Sequence, residues 1–99
     1  MAQQPLNLTE LQQQLDELNH NSGQEWSIIG GKLHKTFSFK NFIEAFGFMT
    51  GAAIHAEKLN HHPEWSNVYR TVVVDLVTHE AGGITELDFK LAKKMDSLL

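Results

Sequence analysis

The chain contains no cysteine. It therefore has no disulfide, no thiolate nucleophile and no zinc–thiolate site. The charged fraction of 20% is too low for a disordered protein, and the apolar fraction of 41% is ordinary for a globular one. At 99 residues, the composition predicts one small domain that spans positions 1–99.

A basic cluster, a signal peptide and a long apolar run are also lacking. The eight Lys and Arg are scattered and the net charge is −4, which argues against direct binding of nucleic acid. The first residues lack the basic and apolar regions of a signal peptide. The longest uncharged apolar stretch, 45–54, is too short to cross a bilayer. We therefore predict a soluble cytoplasmic protein without a membrane partner, and a nuclear location stays open for a eukaryotic source.

Hydrophobic periodicity predicts the order helix, strand, strand, helix, strand, strand, helix. Asn7 with Glu10, and Thr85 with Asp88, have the spacing of helix N-terminal capping boxes. Gly30-Gly31 predicts a tight hairpin. Short hairpins favour an antiparallel arrangement, so the expected fold is α+β, with a four-stranded antiparallel sheet and three helices packed on one face. The predicted strands cover 26–29, 33–39, 65–69 and 71–78.

The central helix is expected from about Asn41 to Leu59 and is unusually apolar. Because its apolar surface is wider than one core face, self-association of this helix is as plausible as simple burial. Gly47 and Gly51 would permit close helix contact there. The expected buried stripe of this helix is Phe42, Phe46, Met49, Ala53 and Ala56, widened by Phe48, Ala52, Leu59 and Ile54. The final helix should bury Leu87, Leu91, Met95 and Leu98.

Two adjacent histidines stand where the central helix must end. Pro63 pushes the preceding residue out of the helical region, so His62 should be extended. Neighbouring side chains of extended backbone point to opposite sides, so His61 and His62 suit two different tasks better than joint chelation of one metal. The alternative is a solvated helix terminus, where imidazolium interacts well with the helix dipole.

Carboxylates accompany these histidines in the sequence. Glu57 lies four residues before His61, a spacing that brings side chains together on a helix and would favour the protonated ring of a general acid. A surface glutamate facing Lys58 or water is the alternative. Asp88 is already accounted for by capping of Thr85.

His79 ends the valine-rich segment and precedes a loop with Gly82-Gly83. Side chains at strand ends often project into clefts, and the glycines would let a flat ligand approach the backbone. An ordinary polar strand end is the alternative. The chain has six histidines, yet familiar zinc spacings such as His-Glu-x-x-His are absent, so we predict no metal and no resident cofactor.

The segment 56–65, with the sequence AEKLNHHPEW, resembles the central motif of the pterin-4a-carbinolamine dehydratases. Tyr69, His79 and Asp88 follow in the register of that pattern. The similarity covers roughly residues 26–95. It also includes the segments 42–49, 78–80 and 87–88.

The resemblance implies a metal-free hydro-lyase that removes water from 4a-hydroxytetrahydropterin. The product would be the quinonoid dihydropterin, and the reaction would recycle the pterin cofactor of aromatic amino acid hydroxylases. It also implies a homodimer or homotetramer. Some animal members serve as dimerisation cofactors of a homeodomain transcription factor, a role for which the sequence gives no independent support. A non-catalytic interaction module is therefore the alternative function.

The same resemblance assigns the residues of the site. His61 and His79 would be the acid–base pair, with the direction of transfer open, and His62 would orient the pterin. Glu57 and Asp88 would support them. The expected substrate contacts, inferred from position only, are polar groups of Thr78 and Glu80 and an apolar wall of Pro63 and Trp65.

Overall fold

The computed structural model describes residues 4–20 and 25–99. Within these residues the order of elements agrees with the prediction, and one short 3₁₀ turn, His79–Ala81, is added. The helices are α1 (Leu8–His20), α2 (Phe42–Leu59) and α3 (Glu86–Asp96), and the strands are β1 (Ser27–Ile29), β2 (Lys32–Ser38), β3 (Glu64–Val68) and β4 (Thr71–Leu76).

The four strands form one antiparallel sheet in the order β1-β2-β4-β3. Gly30 and Gly31 have φ values of 60° and 77°, the left-handed conformation that a glycine adopts without steric cost, and they close the predicted β1–β2 hairpin. β2 pairs with β4, so that Leu33 stands opposite Leu76. These observations confirm the α+β class and the four-stranded antiparallel sheet.

One face of the sheet is buried. Leu33, Lys35 and Phe37 of β2 are at most 1% exposed. The buried ammonium of Lys35 is paired, because its Nζ lies 2.8 Å from Asp96 Oδ1 on α3 and 4.7 Å from the centre of the Phe37 ring. Trp26 Nε1 donates to the other oxygen of Asp96 at 3.0 Å. The end of α3 is thereby fixed to the sheet.

The predicted buried stripe of α2 is wrong in part. Phe42 is 47% and Phe46 53% exposed, and Ala53 is exposed as well. Phe48 faces the core instead, because its ring packs at 4.5 Å from that of Phe37 and at 5.1 Å from that of Phe39. These contacts orient α2 so that its buried residues are Ala45, Phe48, Ala52 and Ala56.

The two glycines of α2 differ in their surroundings. A Cβ on Gly51 would lie 3.1 Å from the side chain of Leu98, whereas one on Gly47 would meet nothing within 4 Å in the part of the chain described. Leu98 itself lies beyond the end of α3 and is 39% exposed, so its expected place in the buried stripe of that helix is wrong. Leu91 and Met95 are fully buried as predicted.

Both predicted capping boxes are present. The Asn7 N–H donates to Glu10 Oε1 at 3.0 Å, and the Glu10 N–H donates to Asn7 Oδ1 at 2.8 Å. The turn-forming residues from Asn19 to Gly23 predict that the first helix ends there. Instead α1 continues through His20, so Asn19 is helical, and positions 21–23 lie outside the described residues. No described helix is both long and apolar enough to cross a membrane.

Candidate active site

His61 owes its position to the way α2 ends. Asn60 adopts the left-handed conformation, with φ 50°, and its N–H donates to the carbonyl groups of Ala56 and Glu57. The His61 N–H also donates to Ala56 O, at 3.0 Å. The chain therefore turns sharply after Leu59. As a result His61 is buried and His62 is exposed, which fits the expectation that the two histidines face different surroundings.

The buried ring meets Asp88 of α3. His61 Nε2 lies 2.5 Å from Asp88 Oδ1, and the carboxylate is fully buried. Asp88 Oδ2 accepts from the Thr85 N–H and from Thr78 Oγ1, both at 2.9 Å. The hydroxyls of Thr78 and Thr85 lie 2.7 Å apart. Asp88 thus completes the capping box of α3 and also holds the His61 ring.

The four-residue spacing suggested that Glu57 would contact His61, but in the structure Glu57 contacts His62 instead. Its Oε1 lies 2.8 Å from His62 Nε2, and the two side chains are 78% and 59% exposed. The left-handed Asn60 interrupts the helical register on which the four-residue spacing depends. The pairing Glu57–His61 is therefore wrong, and Asp88 is the partner of His61.

His79 begins the 3₁₀ turn, so it lies beyond β4 and does not end that strand as predicted. Its Nε2 is 2.8 Å from Glu64 Oε2, at the first residue of β3. The other oxygen of Glu64, Oε1, lies 2.5 Å from Lys32 Nζ. This bond to Lys32, and then the bond to His79, holds the pKa of Glu64 below its usual value. The bond to Glu64 raises the pKa of Lys32.

Sequence reasoning missed both Glu64 and Lys32. The available signal was strand alternation, because a residue next to the half-buried Trp65 should project from the opposite, outer face of the sheet. In the strand register Glu64 stands opposite Asp75, and Asp75 stands opposite His34, so these polar side chains share that face. Two imidazole–carboxylate contacts, His34–Asp75 and His79–Glu64, involve carboxylates of this outer face.

The remaining expected residues differ in exposure. Pro63 and Trp65 are half-buried, and Trp65 packs against the core. Glu80 is exposed in the 3₁₀ turn. Thr78 is 2% exposed, and its hydroxyl is taken up by Asp88 and Thr85.

Two hydrogen bonds tie the segment 61–64 to the segment that follows β4. One is Glu64–His79, and the other joins His61 to Asp88, which also binds Thr78. In all three candidate histidines Nε2 faces a carboxylate. An ionised carboxylate can only accept, so a ring that faces one donates from Nε2 and keeps Nδ1 free of that bond. Within the described residues no group of three or more His, Cys, Asp or Glu could hold a metal ion.

Comparison with known proteins gives a consistent result. Residues 4–98 match the family model described as pterin 4 alpha carbinolamine dehydratase. A protein from Chelativorans sp., named as a candidate pterin-4-alpha-carbinolamine dehydratase, is 57% identical over 98% of this chain and 96% of its own length. A protein of the same name from Rhizobium leguminosarum bv. trifolii is 73% identical over 72% of each chain.

A solved structure is similar as well. The crystal structure of a transcriptional coactivator/pterin dehydratase from Brucella melitensis superposes with a TM-score of 0.82 at 43% identity. The superposition covers 95% of this chain and 97% of that one.

Proposed function

The chain belongs to the pterin 4 alpha carbinolamine dehydratase family, and we propose that it dehydrates 4a-hydroxytetrahydropterin to the quinonoid dihydropterin by histidine general acid–base catalysis. The reaction would recycle the pterin cofactor of aromatic amino acid hydroxylases. We propose further that residues 1–99 form one domain and act in the cytoplasm as a homodimer or homotetramer.

The observation that carries this proposal is the set of three imidazole–carboxylate contacts made by residues between α2 and β3 and in the turn that follows β4. His61, His62 and His79 come from two distant parts of the chain, and each is held through Nε2 by its own carboxylate. Imidazoles held in a fixed orientation are suited to general acid–base catalysis.

Dehydration needs one proton delivered and one removed. The C4a–O bond breaks as the leaving hydroxyl takes a proton and departs as water, and the N5 proton passes to a base while its bonding electrons form the new double bond. His61 and His79 are the proposed donor and acceptor, in either order. Each such step contributes about 10²–10⁴-fold in rate.

The other residues would hold the substrate and the acid–base pair. His62 orients the pterin, and Glu57 supports His62, which is the ring it contacts. Asp88 supports His61. Pro63, Trp65 and Glu80 remain the proposed substrate contacts. Thr78, whose hydroxyl bonds to Asp88 and Thr85, is the fourth proposed contact.

A non-catalytic role is the second candidate. The similar protein from Brucella melitensis is named a transcriptional coactivator as well as a pterin dehydratase. The outer side of α2 in this chain also exposes the apolar side chains Phe42, Ile43, Phe46 and Ile54, which a partner helix could cover. In that case the protein would form an oligomer and have no effect on carbinolamine dehydration.

Turnover of the carbinolamine by the purified chain tests the proposal. We expect His61→Ala and His79→Ala each to lower kcat by about 10²-fold or more. His34→Ala is a matched control, because His34 also pairs with a carboxylate, Asp75, at 2.9 Å but lies outside the site. Full activity in both site variants, each shown to be folded by circular dichroism, would rule out the assignment.

A further inference from the structure

Lys32 and Glu64 form a hydrogen-bonded chain with His79. We propose that Glu64, anchored by Lys32, is a positioning residue that fixes the His79 ring with Nε2–H toward Glu64 and Nδ1 toward the substrate. This role presupposes the proposed dehydratase function and adds two residues to it.

The topology brings the three residues together. β2 and β3 both run antiparallel to β4 and flank it, so both begin at the end of the sheet where β4 finishes. Lys32 opens β2, Glu64 opens β3, and His79 follows the end of β4. The contact between Lys32 and Glu64 therefore spans β4, and His79 reaches the same carboxylate from the connection that follows β4.

Glu64 serves both partners at once because each uses a different oxygen. Oε1 receives Lys32 Nζ at 2.5 Å, and Oε2 faces His79 Nε2 at 2.8 Å. Lys32 contributes most to keeping the pKa of Glu64 low, so the carboxylate remains ionised and can only accept. His79 must then donate from Nε2.

The bond matters because little else restrains this ring. The His79 side chain is 70% exposed, in contrast to the 9% of His61. An exposed neutral imidazole samples both tautomers and several rotamers, which would present the wrong nitrogen to the substrate part of the time. A single carboxylate that accepts from Nε2 selects one tautomer and one ring orientation.

Nitrogen-15 NMR of the imidazole rings tests this directly and without substrate. Spectra are recorded at about pH 9, where histidine is neutral. We expect His79 in the wild type to be mainly the Nε2–H tautomer. In Glu64→Ala its signals should move toward a mixture of the two tautomers, Lys32→Met should produce part of that shift, and Lys32→Arg should restore the wild-type signals.

Asp75→Ala provides the matched control. Asp75 stands opposite Glu64 in the sheet and contacts the imidazole of His34, which is outside the site. This variant should change the signals of His34 and leave those of His79 in place.

Kinetics give the second measurement. We expect Glu64→Ala to lower kcat by about tenfold with KM changed by less than about twofold, a smaller loss than the ~10²–10⁴ of an acid–base group itself. An unchanged His79 spectrum in Glu64→Ala overturns the proposal, as does a changed spectrum with wild-type kcat. Failure of the dehydratase function is seen separately, because the wild-type chain would then lack turnover before any substitution is made.

Discussion

The two histidines proposed to transfer protons are held by similar bonds in opposite surroundings. His61 meets Asp88 at 2.5 Å inside the protein, and His79 meets Glu64 at 2.8 Å on its surface. The buried carboxylate also binds Thr78 and the Thr85 N–H. Buried polar groups are costly when left without a partner, whereas exposed ion pairs add little stability. The region around His61 and Asp88 should therefore support both folding and function. The region around His79 and Glu64 should support mainly function.

The largest effect should come from Asp88→Ala. It removes the carboxylate half of the capping box of α3 and takes away the acceptor that Asp88 provides to His61, Thr78 and the Thr85 N–H. We expect the free energy of unfolding to fall by about 3 kcal/mol, as measured by urea denaturation.

The companion variant Asp75→Ala removes a partly exposed carboxylate that also faces a histidine. It should cost less than about 1 kcal/mol. Equal losses in the two variants would show that burial does not distinguish the two regions.

The next effect is that of removing each ring. His61→Ala leaves Asp88 Oδ1 unpaired in the interior and should cost about 1–3 kcal/mol. His79→Ala should leave the urea midpoint unchanged within error. The His79 ring that it removes is exposed, and water can replace that ring as the partner of Glu64. Both variants should nevertheless lose turnover. A stable His61→Ala protein would contradict the assigned difference between the regions.

A smaller effect is expected from Thr78→Val. The valine keeps the shape but removes the hydroxyl that donates to Asp88 Oδ2. We expect a loss of about 1–2 kcal/mol in thermal or urea unfolding, since the buried hydrogen bonds of this hydroxyl to Asp88 and to Thr85 are both removed. Thr78→Ser, which keeps the hydroxyl, should recover most of this loss. If the serine variant were as unstable as the valine variant, the methyl group and not the hydrogen bond would be responsible.

The smallest effect concerns the pH dependence at Glu64. Its pKa is lower in the folded protein than in the unfolded chain, chiefly because of Lys32. Its ionised form therefore stabilises the folded state above the unfolded pKa, and this contribution is lost as the pH falls through the folded pKa. Glu64→Gln should lower the urea midpoint slightly at neutral pH, and the difference from wild type should vanish in acid. A difference that persists in acid would mean that charge is not its source.

Much of the fold could be predicted because it depends on short-range signals. The hairpin at Gly30-Gly31, the capping of α1 by Asn7 and the capping of α3 by Thr85 were all read from neighbouring residues. The buried face of α2 could not be predicted in the same way. The helix is apolar around much of its circumference, so the buried side was decided by tertiary packing, such as that of Phe48 against Phe37 and Phe39.

The sequence by itself determined the order of helices and strands, their caps, and a motif specific enough to indicate the family, because periodicity and capping act over a few residues. Only the tertiary structure decided which carboxylate meets which imidazole. His61 is 27 residues from Asp88, His79 is 15 from Glu64, and Glu64 is 32 from Lys32 along the chain. Such contacts follow from strand register and from the left-handed turn at Asn60, which no local spacing rule includes.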